Sequence, residues 1–272
     1  MKPDSRFKSK SSRFWAYAKF LSEQGGYSKR GSGVLREYDK KELFEICARE
    51  SVAPPQGDLF DDIISYMNWR AELLNATVSR LFMDRSKAEA AFNEIRTLTS
   101  PVKALPMNKQ KGEKRHHAYL ASLVAMIAEN ELGPEGFIDD ARRLSVLTSS
   151  DGLEGIFSRR FDGAIPDTRN PIAVWEIKEY YGTTTFGSRV ADGVYETLLD
   201  GYEIELAQRD LGRNILHYLF IDDRFTWWDC GKSYLCRMID MLHTGHVDEI
   251  FFGKEVLTEW PKTVAELKQL SP

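Results

Sequence analysis

The stretch Phe161–Glu179, FDGAIPDTRNPIAVWEIKE, decides how this chain is read. Asp162 closes one short, partly apolar run; after thirteen residues a second run, IAVWEIK, ends in Glu176-Ile177-Lys178. In a strand, alternate side chains share a face, so Ile172, Val174, Glu176 and Lys178 lie together and Ala173, Trp175 and Ile177 lie opposite. Both faces begin apolar, as in a central strand covered on two sides. A charge in such a strand needs a partner or a task. Between the runs, Pro166-Asp167-Thr168-Arg169-Asn170-Pro171 is rich in turn formers. It is expected to reverse the chain and bring Asp162 beside Glu176.

Two carboxylates and a lysine at adjoining strand ends suit a hard divalent metal beside a phosphodiester. Magnesium prefers oxygen ligands, keeps several waters, and is typically held by one or two carboxylates plus substrate phosphate. Asp162 and Glu176 are the candidate carboxylates, with the backbone carbonyl of Ile177 as a further donor. Lys178 would position the attacking water or stabilise developing negative charge. Nearby metal and partial burial would lower the pKa of its amine. The plain alternative is a hairpin with solvated polar ends.

These residues resemble the PD-(D/E)XK nuclease superfamily, which includes restriction endonucleases, resolvases and repair nucleases. The matching piece is Asp162, the gap, then Glu176-Ile177-Lys178; Phe161 stands where the family's name has proline. The resemblance covers Gly112 to Phe252. It implies a helix, a bent mixed sheet carrying the site, a further helix and another strand. It also implies magnesium-dependent cleavage, with manganese as a substitute, leaving 5′-phosphate and 3′-hydroxyl ends. Relatives often carry an additional acid on the first helix; Glu113 is the candidate here, with Glu129 and Glu131 as rivals. The fold class expected is therefore α/β (α+β), a restriction-endonuclease-like core with a mixed central sheet flanked by helices, plus a helical N-terminal region.

Flanking patterns fit that order. Lys109–Leu132 reads as a long helix with Tyr119, Leu123, Val124 and Ile127 on one stripe. Arg189 opens another, to about Arg209, whose apolar face comprises Val190, Val194, Leu198, Leu199 and Leu206. Asn214–Asp222 reads as a buried strand, Tyr234–His243 as a helix and Glu249–Phe252 as a strand. Upstream, Phe14–Gln24, Lys40–Glu50 with Asp39 as N-cap, Leu59–Phe82 and Lys87–Leu98 read as helices. Pro101–Pro106 marks a boundary. It separates a helical region, 1–106, for DNA binding or dimerisation or for wrapping the core, from a nuclease core, 107–272.

The net charge of −4 argues at first against a nucleic-acid partner, but its distribution does not. Residues 1–41 hold eleven Lys/Arg against four Asp/Glu, and residues 101–120 hold five against one. Lys29, Arg30, Arg115 and Arg189 are the candidate DNA contacts. No run reaches the eighteen apolar residues of a membrane span. The basic N-terminus lacks an apolar signal core, and three scattered cysteines fit a reducing compartment, so a cytoplasmic location is expected. His243 and His246 flank Gly245, which reads as a helix end rather than a metal site. No Walker loop or G-x-S-x-G elbow is present.

The reading that follows is a magnesium-dependent endonuclease, a type II restriction enzyme cutting double-stranded DNA at a specific site. Cutting both strands of a palindrome calls for a twofold homodimer, with a cognate methyltransferase in the same system. The alternatives are a repair, resolvase or phage-defence nuclease working with partners, or a non-catalytic nucleic-acid-binding protein.

Overall fold

Side-chain oxygens mark where the first helices start. Ser11 accepts the Phe14 N–H and Asp39 the Glu42 N–H, opening α1 (Ser12–Gly25) and α2 (Lys40–Arg49) by replacing partners that a helix start lacks. The computed structural model describes residues 1–28, 31–108, 116–181 and 188–270, with Ser188 and Arg189 described by their backbone alone. Helix α3 (Asp58–Glu72) runs on through a wide π-helical turn, Leu73–Val78, into α4 (Ser79–Leu81). Asp84 caps α5 (Arg85–Thr99).

Helix α6 (Tyr119–Leu132) begins ten residues after the expected start at Lys109, at the first residue of its apolar stripe. The described residues ahead of it, Met107 and His117, form an antiparallel bridge: Asn108 donates to the His116 carbonyl (3.1 Å) and Ala118 to that of Pro106 (3.0 Å). Lys109–Arg115 lie outside the described residues. The strands follow: β1 (Ile138–Asp139), the hairpin β2 (Val146–Ser149) and β3 (Gly152–Ile156), then β4 (Gly163–Ile165) and β5 (Ala173–Glu179). After α7 (Ser188–Leu211) come β6 (Leu216–Asp222), a second π-helical turn, α8 (Lys232–Thr244) and β7 (Glu249–Phe252). Two helices not foreseen in the sequence, α9 (Glu255–Thr258) and α10 (Trp260–Leu270), complete the described chain.

This is a mixed α/β architecture. A five-stranded sheet runs β1-β4-β5-β6-β7, antiparallel across β1, β4 and β5 and parallel across β5, β6 and β7. The loop Pro166–Pro171 does reverse the chain, but the strand lies after Asp162 and not before it. Gly163 explains the placement: it lies beneath the Trp175 indole, and a Cβ there would run into the ring. One face of the sheet packs Trp175, Phe220 and Phe251 against α6 and α10, with Trp260 at the centre. The other buries Leu219, Ile221 and Phe252 under α8, the start of α7 and the π-helical turns.

The N-terminal helices pack onto this sheet-bearing part, α5 on α6 and α3 on α8. The α3–α8 contact is ionic: Arg70 and Asp240, each 3 % exposed at the side chain, pair at 2.6 Å. Tyr66 donates to the same carboxylate, and Arg70 also donates to Ser22 of α1 (2.7 Å). The basic arm ahead of α1 is docked as well, with Phe7 buried against Tyr66 and Trp69 and the Asp4 N–H donating to His243 Nε2 (3.0 Å). Among the described residues no helix is long and apolar enough to cross a membrane.

Breaking one member of a buried ion pair leaves the other charge unpaired, which costs about 3–5 kcal/mol. Asp240→Ala is expected to lower unfolding free energy by that order in denaturant titrations. A loss below about 1 kcal/mol would show that the pair does not anchor the N-terminal helices.

Candidate active site

Antiparallel pairing brings the first two site residues together. Gly163 stands opposite Trp175, so Asp162 falls beside Glu176. Asp162 brackets that residue: its N–H donates to the Trp175 carbonyl (3.0 Å) and its carboxylate accepts the Ile177 N–H (2.7 Å). Strand alternation then places Lys178 on the face of Glu176, and the amine reaches its carboxylate at 2.8 Å. Glu176 and Lys178 are therefore in direct contact, and Asp162 adjoins them through the Ile177 amide.

What surrounds them was not foreseen. Arg159, in the loop before Asp162, lies 3.1 Å from Glu176, and helix α7 contributes Glu196 and Asp200. Arg159 contacts Asp200 at 2.7 Å and Glu196 at 3.1 Å, while Lys178 bonds Glu196 at 3.0 Å. Glu176 and Lys178 are buried beneath this lattice; Glu196 is 43 % exposed and Asp162 is open to solvent. The signal available in the sequence was Asp200: a charge on the inner side of a helix, between the buried Thr197 and Ile204.

The lattice carries four carboxylates, of Asp162, Glu176, Glu196 and Asp200, against two cations, of Arg159 and Lys178. Surplus negative charge and burial push acids toward their neutral forms. Burial, then Glu176, raises Asp200 to about 7 against the pull of Arg159. Asp162, crowded by protein though water reaches it, is raised to about 6, again with Glu176 contributing. Burial opposes the Lys178 charge, but Glu176, Asp162 and Glu196 more than offset it, so the amine is held above its ordinary value rather than below it.

These residues suit a magnesium ion by charge and donor type: oxygen donors, surplus negative charge, and a buried Oδ1 of Asp200 that accepts no hydrogen bond among the described residues, while Oε1 of Glu176 already faces Arg159 at 3.1 Å. Among those residues no three His, Cys, Asp or Glu side chains converge closely enough to cage a metal. An ion here would have Asp162, Glu176 and the Ile177 carbonyl as its protein donors and would need water for the rest of its shell. Glu113 lies outside the described residues. Its rival Glu129 is spent on the Val102 and Lys103 N–H groups, and Glu131 sits in the last turn of α6.

On the opposite face of β5 a cavity of about 470 Å³ is lined by Asp139, Asp140, Arg142, Asp162, Ile177 and Glu179, among others. Glu179 also caps α6, accepting the N–H groups of Tyr119 (2.9 Å) and Ala121 (3.1 Å), and burial raises it to about 7. Of the candidate DNA contacts, Lys29, Arg30 and Arg115 lie outside the described residues; Arg189 sits at the start of α7, its side chain undescribed. His243 is consumed by the Ile239 carbonyl and the Asp4 N–H, and so is not paired with His246 around a metal.

An acid raised in the folded state favours folding at low pH, and that advantage fades as pH climbs from the unfolded value, near 4 for Asp, to the folded one. Between about pH 4 and 7, wild type is expected to lose stability relative to Asp200→Asn, read as the difference of their denaturant midpoints. Parallel pH slopes would mean that Asp200 ionises alike in both states.

Comparison with family models gives two matches. Residues 83–267 match a family described as a domain of unknown function (DUF7687), and residues 1–77 match a second, likewise a domain of unknown function (DUF7690). The two meet in the segment carrying α4, so α5 falls with the sheet-bearing part. Searches of curated proteins and of solved structures found no match. The first family model spans more than half of the sequence, and the chain belongs to the DUF7687 family.

Proposed function

We propose that this chain is a magnesium-dependent endonuclease that hydrolyses phosphodiester bonds of double-stranded DNA, a type II restriction-like enzyme with a PD-(D/E)XK-type site. The observation that carries the reading is the β4–β5 pairing that seats Asp162 beside Glu176 and Lys178. The element order supports it: helix α6, antiparallel strands leading to β5, helix α7, then parallel β6 is the order that the resemblance implies.

Bound magnesium, or manganese in its place, would acidify a water and offset charge on the phosphate. Asp162 and Glu176 would hold the ion with the Ile177 carbonyl. Lys178, kept protonated by its acidic neighbours, would act as a fixed positive charge beside the pentacoordinate phosphorus of the transition state and not as a base. Glu176 and Lys178 are closed to solvent by Arg159 and Glu196, so a phosphate arrives from the open edge at Asp162 and Glu196. There it competes with Glu196 for the Lys178 amine. The dimer, the specific recognition site and a partner methyltransferase belong to this proposal too.

The burial of Glu176 and Lys178 favours one other reading, a nucleic-acid-binding protein in which the ion-pair lattice is purely structural. Incubating the purified chain with plasmid DNA and magnesium separates the two. Discrete fragments that vanish with EDTA are expected; intact plasmid, with DNA retarded in gels, would establish the binding protein instead.

Asp162→Asn and Glu176→Gln are each expected to abolish cleavage while sparing DNA binding, and retained turnover would remove that residue from the reaction. Lys178→Ala is expected to slow single-turnover cleavage by about 10²–10³-fold, the size typical of losing one preorganised charge. A wild-type rate would assign the lysine to folding alone.

A further inference from the structure

Helix α7 carries apolar side chains on two opposite faces. Val190 and Val194 point into the core as its amphipathic pattern requires, but Leu199 and Leu206, expected on that same face, do not. They stand outside with Tyr195 and Tyr202, each of the four between 45 % and 57 % exposed. The spacing, 195–199–202–206, is the four-three-four rhythm of a coiled-coil seam. Ile156 of β3 and Leu211 extend the apolar surface around a 270 Å³ groove beside Leu206.

We propose that this stripe is a homodimer seam, in which α7 of one copy packs antiparallel against α7 of a second copy about a twofold axis passing between Asp200 and Gly201. A second copy suits the stripe because its four-three-four spacing reads the same in both directions. Reversed on itself, it sets Tyr195 against the second copy's Leu206 and Leu199 against its Tyr202, an aromatic ring on an aliphatic side chain at every layer. The next layers outward place Asp192 opposite Arg209 of the second copy, both exposed and of opposite sign, at each end of the seam. Arg209 already holds Asp210 at 2.7 Å and has further N–H groups to share. An isologous contact of this kind is closed at two copies.

The proposal deepens the endonuclease reading, which calls for twofold symmetry, but its test does not depend on cleavage. The inner face of α7 supplies Glu196 and Asp200 to the site, so the seam would place two sites on one continuous pair of helices.

Sedimentation of the full chain from about 1 to 100 μM reads the outcome, with thermal melts to verify folding. Wild type is expected to pass from monomer to dimer in that range. Leu199→Glu, which acts twice at one twofold contact, should weaken association by roughly a hundredfold or more at unchanged melting temperature at monomer concentrations. Asp192→Arg and Arg209→Asp should each weaken it, and the double swap should restore it. A wild type that stays monomeric overturns the proposal, and so does a dimer indifferent to Leu199→Glu or a double swap no better than either single change. A dimer with no cleavage would refute the endonuclease and leave the seam standing; cleavage by a monomer would do the reverse.

Discussion

A lysine and a glutamate buried side by side at the end of a central strand impose the constraint that the rest of the structure meets. Neither charge survives there without partners, since desolvation of an ion costs several kcal/mol even after relaxation. Arg159, Glu196 and Asp200 supply those partners, and supplying them fixes where the loop before β4 and the first half of α7 must lie. Gly193 allows the helix this close, with the Lys178 Cδ 3.3 Å from where a Cβ would stand. Asp162 closes the arrangement from the other side by binding the amide that follows Glu176. The sheet thus exposes one edge, where an open aspartate and a half-open glutamate flank a sealed pair.

That arrangement joins stability to chemistry with tension. The four acids repel one another, and two are driven toward neutrality near physiological pH. A divalent cation at the open edge would relieve the repulsion, which is why the same residues read as a strained structural lattice without an ion and as a binding site with one. The amine of Lys178 is held in its charged form by this crowding, so the electrostatic role proposed for it would follow from the surrounding acids rather than from the lysine itself.

Much of this was legible in residue order because local rules decided it. Parity in IAVWEIK set the face shared by Glu176 and Lys178, and caps such as Asp39 set the helix starts. Where distant contacts decided, the sequence misled. The helix read from Lys109 starts only where its apolar stripe does, at Tyr119, where Glu179, sixty residues on, caps it. Leu199 and Leu206 fitted an inward face by periodicity alone, and only the packed structure reveals that α7 has two apolar sides. Arg159 carried no local pattern at all; its importance is a matter of what lies across from it.

The joint between the two family matches has a consequence for how such chains can be assembled. Phe82 lies between them and Met83 opens the second; the Met83 N–H donates to the side chain of Asp222 at the end of β6, while Phe82 packs on Phe252. Tyr181, just past the site strand, holds the other oxygen of that aspartate. The seam between segments is thus latched to the strand beside the site. Chimeras that exchange the first 77 residues between relatives would have to lead into the same latch and restore the Arg70–Asp240 pair. Exchange of whole segments is open to this architecture; sliding of the junction is not.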